Sequence, residues 1–189
     1  MSADPLTIIR DADFVFQNMH VKVVANRDSP KIDLPGVEVG PFRKGKEYEI
    51  RFWVARELKK AGIAHIRIEE PLDLMTLNKI HWKESVQSSQ RVNSLPENFY
   101  PKLRNYLEEL NETSLKKSEL RGDYEKAQKL SSDITRTRLK KIVSLASSPR
   151  SRQVLENLTK EELALYNYLY TKISEWKTGI LKNQEDNKT

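Results

Sequence analysis

Leu158-Thr159-Lys160-Glu161-Glu162-Leu163-Ala164-Leu165-Tyr166 carries a complete helix-start signal. Thr159 takes the N-cap position, and Glu162 three residues later closes a capping box. Leu158 and Leu163 stand at N′ and N4, where a hydrophobic staple fixes the entry of the chain. Beyond them Leu165, Tyr166, Leu169, Ile173 and Trp176 continue one apolar face, which reads as buried, while Tyr168 and Tyr170 fall off it. After Gly179 the polar tail from Lys182 to Thr189 is expected to fray. A long one-sided helix of this kind requires other helices to cover it.

Those helices are found upstream. The spacing predicts a helix from Gly122-Asp123 to Ser147, ended by Pro149, with Leu130, Ile134, Leu139, Ile142, Val143 and Ala146 as its apolar positions. A short helix is expected around Val154-Leu155. Phe99, Leu103, Tyr106, Leu107 and Leu110 form another face, preceded by Ser94-Leu95-Pro96-Glu97, which reads as a second capping box. Leu74, Leu77, Asn78, His81 and Trp82 repeat at helical spacing before it.

Before residue 71 the pattern changes. Pro30, Pro35-Gly36, Gly40-Pro41, Gly45, Gly62 and Pro71 punctuate short runs with strand composition: Phe14-Val15-Phe16, Val21-Lys22-Val23-Val24, Val37-Glu38-Val39 and Ile66-Arg67-Ile68. One helix interrupts them. Ile50, Val54, Ala55, Leu58 and Ala61 form its stripe, with Phe52 and Trp53 alongside, Lys59 and Lys60 in its last turn, and Gly62 as a left-handed cap. The expected fold class is α+β, with a small β-rich module containing one helix over residues 1–70 and an all-α bundle over 71–189.

Composition excludes several functions. The chain of 189 residues has no cysteine, so disulfide scaffolds, thiolate metal sites and cysteine nucleophiles are ruled out, and a reducing interior suits it. Without an apolar run of spanning length or a leader-like start, an intracellular protein with no membrane contact is expected. His20, His65 and His81 lack a ligand-spaced partner, and Asp11/Asp13 and Glu69-Glu70 lack a second acidic cluster. Gly40-Pro41-Phe42-Arg43-Lys44-Gly45-Lys46 has neither the order nor the final hydroxyl of a phosphate loop and reads as a basic hairpin loop. No catalytic, cofactor-binding or metal-ligating residue emerges.

The net charge of +6 is unevenly placed: residues 116–152 carry 11 Lys/Arg against 4 Asp/Glu. Arg136, Arg138, Lys140 and Lys141, with Arg150 and Arg152 beyond the helix end, form a candidate contact for nucleic acid or an acidic partner, or else a solvated helix face.

Four blocks in order resemble the GINS family. Leu74-x-x-Leu77-Asn78-Lys79-Ile80-His81-Trp82-Lys83-Glu84 with Leu95-Pro96-Glu97-Asn98-Phe99-Tyr100-Pro101-Lys102-Leu103 is similar to the opening helices of its helical (A) domain. Arg136-x-Arg138-Leu139-Lys140-Lys141-Ile142-Val143-x-Leu145-Ala146 resembles its long basic helix, and Asn157-Leu158-Thr159-x-Glu161-Glu162-x-x-Leu165-Tyr166 the start of its last core helix. Trp53-Val54-Ala55-Arg56-Glu57-Leu58, ending in Gly62-Ile63-Ala64, looks like the helix of the β-rich (B) domain. The β-rich module comes first, which resembles the archaeal subunit akin to the eukaryotic second and third subunits.

The resemblance implies a scaffold with no catalytic site and no cofactor, cytoplasmic and nucleoid-associated. It implies a heterotetramer, two plus two, with a second GINS subunit of reversed domain order. That assembly would bridge the MCM helicase and a Cdc45/RecJ-like protein in DNA replication, with the small module facing MCM or primase, and with weak or indirect DNA contact. Trp82, Phe99, Tyr100, Tyr106, Tyr166, Tyr168, Tyr170 and Trp176 exceed what a small bundle easily hides and are the subunit-interface candidates. The rival reading is a stand-alone, sequence-independent nucleic-acid binder using the basic helix at 136–152.

Overall fold

Strand β1 (His20–Ala25) is the centre of a three-stranded antiparallel sheet, flanked by β4 (Glu47–Arg51) and β5 (Ala64–Ile66) in the order β4-β1-β5. The computed structural model describes residues 4–67, 71–86, 92–148 and 152–182. Val23 and Ala25 of β1 are buried beneath Val54, Ala55 and Leu58 of helix α2 (Phe52–Lys60), the one-sided burial that the alternating and helical patterns require. Strands β2 (Ile32–Leu34) and β3 (Val37–Val39) form a separate hairpin. Helix α2 ends as its sequence indicates. Gly62 adopts φ +68° and donates to the Lys59 carbonyl at 3.0 Å, while Ile63 donates to Leu58 at 2.9 Å. Both bonds belong to a Schellman cap, with Ile63 and Leu58 packed in the same core.

The chain divides into two compact units, Asp13–Pro71 and a helical unit formed by Leu72–Thr189 with Met1–Ala12. One division thus falls at Pro71 and another inside α1 (Pro5–Asn18). That helix corrects the strand expected at Phe14-Val15-Phe16. Phe16 alone of the three is buried, its ring 4.7 Å from Phe52, while Phe14 and Val15 face outward. Ile8, Ala12 and Phe16 repeat every four residues, a helical spacing that a three-residue run cannot reveal.

The helical unit contains α3 (Leu74–Val86), α4 (Phe99–Lys116), a short 3₁₀ turn (Ser118–Leu120), α5 (Arg121–Ser147), α6 (Arg152–Leu155) and α7 (Lys160–Lys182). Asp73 starts α3 by accepting the Thr76 backbone N–H at 2.7 Å, and that bond holds its carboxyl below the usual range. The capping box expected at Ser94 does not form. Helix α4 begins at Phe99 behind Asn98, which takes the left-handed conformation at φ 54°. A helix capped at Ser94 would place Pro101 in its interior against the Glu97 carbonyl, whereas here Pro101 sits in the first turn, where no N–H is needed. The box at Thr159 does form: Thr159 N–H donates to Glu162 Oε2 at 3.0 Å, and Glu162 N–H donates to Thr159 Oγ1 at 3.3 Å.

Two apolar clusters fill the helical unit. Leu77, Ile80, Phe99, Leu103, Ala127, Leu130 and Ile134 form one; Val92, Ile142, Leu145, Ala146 and Tyr166 form the other. Between them on α5 lie Arg138 and Lys141, only 1% and 2% exposed. This corrects their placement on a solvated basic face. Arg138 grips Glu162 with two nitrogens, Nε to Oε1 at 2.8 Å and Nη2 to Oε2 at 2.6 Å. Its Nη1 reaches Glu84 Oε1 at 3.2 Å and the Asn93 carbonyl at 2.6 Å. Lys141 Nζ holds the other Glu84 oxygen at 2.8 Å, and the Tyr100 hydroxyl donates to Glu162 Oε1 at 2.7 Å. Two cations balance two carboxylates, so the buried layer carries no net charge. Burial opposes the charge on Arg138, but the hydrogen bonds and charge of Glu162, then the charge of Glu84, outweigh it and raise its pKa. Burial first, and Glu162 beside it, push the Tyr100 hydroxyl far above the ordinary phenol range.

Three outcomes are expected. Gly62→Ala should destabilise by about 1–2 kcal/mol in urea unfolding, because a Cβ meets nothing there and only the positive φ penalises it. Arg138→Met should lose about 3–5 kcal/mol by leaving buried Glu162 without its cation and two carboxylates to share Lys141, well beyond the loss from Arg136→Met on the exposed face of the same helix. Unfolded tyrosine releases its proton near pH 10, while folded Tyr100 keeps its own. Its contribution is therefore complete below that pH and is lost as pH rises towards the folded value. The urea midpoint should fall above about pH 10 and fall less steeply in Tyr100→Phe.

Candidate subunit interface

The eight aromatic candidates separate into three groups. Phe99 and Tyr166 are buried, and Tyr100 is committed to Glu162, so all three serve the chain's own core. Withdrawing them from the interface is a correction: each lies on the inward face of its helix. Tyr106 packs at the edge of the first cluster, its hydroxyl pushed upward by partial burial and then by the Asp73 and Asp123 charges. Trp82, Tyr168, Tyr170 and Trp176 remain open to solvent. Tyr170 stacks at 5.9 Å on Tyr166, one turn back on the same helix.

Trp176 is the informative residue. Its spacing places it on the buried face of α7, yet it is 67% exposed. Tyr166, Leu169, Ile173, Trp176 and Ile180 follow one another at steps of three, four, three and four, the seam of a helix that packs along another. The first part of that seam is covered and the last is not: Tyr166 is 8% exposed and Leu169 and Ile173 are half-buried, whereas Ile180, like Trp176, is more than half exposed. The cause is the length of the neighbour. Glu162 lies against Arg138 and Lys177 Nζ reaches the Ser147 carbonyl at 3.1 Å, so α7 runs in the same sense as α5 and continues where α5 stops. Leu181 is exposed on the same overhang. Sequence reasoning missed Ile180 and Leu181, although the step of four from Trp176 marks Ile180.

Other apolar groups also face outward. On α5 the positions expected in the core, Leu139 and Val143, are exposed, because the buried line runs through Ile134, Arg138, Lys141, Ile142 and Leu145 instead. On α3 Met75, Trp82 and Val86 share one stripe opposite the buried Leu77, Ile80 and Glu84.

The basic ridge is reduced. Arg136 and Lys140 stay on the surface, Arg136 paired with Asp133 at 3.2 Å, while Arg138 and Lys141 are internal. Arg150 and the side chain of Arg152 lie outside the described residues. Two neighbouring cations, one already paired, make a weak polyanion track. Among the described residues no group of three or more His, Asp or Glu side chains is placed to hold a metal ion, and no helix is long and apolar enough to cross a membrane.

Two family models match the chain, one on each side of Pro71. The family model described as the GINS complex protein helical bundle domain matches residues 72–181, more than half of the chain and the whole run from α3 to the α7 overhang. The model of the PSF2 N-terminal domain matches residues 9–67. A search of curated proteins gave no match. With both matches on one chain in this order, and the helical-bundle model on the helical part, the chain belongs to the GINS family and is a GINS complex subunit of DNA replication resembling PSF2.

Proposed function

We propose that this subunit is a non-catalytic scaffold of the archaeal type that assembles two-plus-two with a second GINS subunit of reversed domain order. The assembled complex links the MCM helicase to a Cdc45/RecJ-like protein and activates unwinding, with the β-rich unit turned towards MCM or primase. The observation that carries the reading is the α7 seam, which keeps its three-four spacing past the end of α5 and leaves Trp176, Ile180 and Leu181 uncovered. Covering a large apolar side chain is worth about 1.5–3 kcal/mol, so three of them bias the overhang towards a partner helix. A central tryptophan among such groups is the residue type that dominates subunit interfaces.

Light scattering after size exclusion tests this. The chain alone should self-associate, and addition of the second subunit should give a defined complex of two plus two. Trp176→Ala should weaken that complex by about 2 kcal/mol, roughly 30-fold in Kd, with little change in the chain's own unfolding midpoint. The assembled complex should raise the unwinding rate of the MCM ring. A chain that stays monomeric and ignores the second subunit contradicts the proposal.

A further inference from the structure

The regional charge of residues 1–70 is nearly balanced, 12 Lys/Arg against 11 Asp/Glu, and the linear count conceals a concentration of cations at one end of the β-rich unit. Two loops meet there, residues 26–31 between β1 and β2 and residues 40–46 between β3 and β4. Gly45 N–H donates to the Ala25 carbonyl at 2.8 Å and Ala25 N–H to the Lys46 carbonyl at 3.0 Å. The two loops are joined again where the Lys44 N–H donates to Asp28 Oδ1 at 2.7 Å. Arg27, from the first loop, is fixed by its guanidinium on the Ala61 carbonyl at 3.3 Å. Arg27, Arg43, Lys44 and Lys46 are therefore gathered on one exposed surface, with Asp28 the only carboxylate on these two loops.

The apolar groups of the same loops are turned away. Phe42 is 1% exposed and packs edge-on against Tyr48 at 4.9 Å, and the Tyr48 hydroxyl is occupied by the Arg43 N–H at 2.8 Å. A protein partner bound here would find no apolar anchor, the feature that supplies most interface energy. A phosphate backbone needs only fixed positive charge. We propose that this loop surface, and not the long helix α5, is the chain's contact for the phosphate backbone of DNA. With no exposed aromatic for stacking on these loops, the contact is independent of base sequence. It is built from residues of the β-rich unit alone and makes no use of the α7 seam, so either proposal can fail without the other.

The test is fluorescence anisotropy of the full chain with a fluorescein-labelled mixed-sequence DNA duplex over a series of salt concentrations. Wild type should bind with affinity that falls as salt rises. Arg43→Gln/Lys44→Gln/Lys46→Gln should bind at least tenfold more weakly, with a salt slope shallower by about 2–3 and an unchanged melting temperature. Arg136→Gln/Lys140→Gln on α5 should bind almost as wild type does. The proposal is overturned if the α5 variant loses more affinity than the loop variant, or if wild type does not bind at low salt. It is also overturned if polyglutamate of matched charge displaces the probe as well as unlabelled duplex does, since that outcome assigns the surface to an acidic protein.

Discussion

Arg138 is the residue on which the helical unit turns. One guanidinium gathers α3 through Glu84, the approach to α4 through the Asn93 carbonyl, and α7 through Glu162. Lys141 and Tyr100 complete the layer from either side. Such a layer adds little net stability, because each charge must be stripped of water before its partner compensates it. Its geometry, however, admits one arrangement. Apolar contacts are non-directional and do not by themselves fix a register, whereas a slide of one helix past another here would strand at least one buried carboxylate. The bidentate grip on Glu162 therefore fixes the register of α7 against α5.

Glu162 shows how a local signal acquires a long-range role. The capping box at Thr159 was legible because both halves lie within four residues, and the structure forms it with both reciprocal bonds. Nothing local marks the same carboxylate as the partner of a guanidinium 24 residues upstream. The signal that existed was periodic. Ala127, Ser131, Ile134, Arg138, Lys141, Ile142 and Leu145 follow one face of α5, and Arg138 and Lys141 stand in phase with it. Reading the face from apolar identity alone selected Leu139 and Val143, which are exposed, and sent the two buried cations to the surface. Period outranks residue type when the two conflict inside a long helix.

The elements that escaped the sequence reading share another cause, which is competition with proline or too short a window. Ser94-x-x-Glu97 satisfies the capping pattern, yet Pro101 forbids the helix that pattern would begin. Phe14-Val15-Phe16 has strand composition, but the four-residue repeat back through Ala12 and Ile8 decides for a helix. By contrast, Gly62 follows directly on the last turn with Lys59 and Lys60, so its left-handed cap was legible, though the Leu58–Ile63 contact beside it was not read. The α+β class followed from such local signals, together with the long amphipathic repeats.

The exposed seam of α7 and the buried layer around Arg138 are two consequences of one register. If α7 were free to slip towards its N-terminus by two turns, about seven residues, Ile173 and Trp176 would reach the positions now held by Tyr166 and Leu169, and the overhang would shorten. The ion layer prevents this by holding Glu162 opposite Arg138, which leaves Trp176 and Ile180 beyond Ser147 whatever their hydrophobicity. An apolar surface that cannot retreat along α5 stays available to a partner helix, as the proposed assembly requires. In this sense the charged layer inside the helical unit and the apolar face outside it belong to one device. The first has low worth as a source of stability, and its worth to a complex subunit lies in the second.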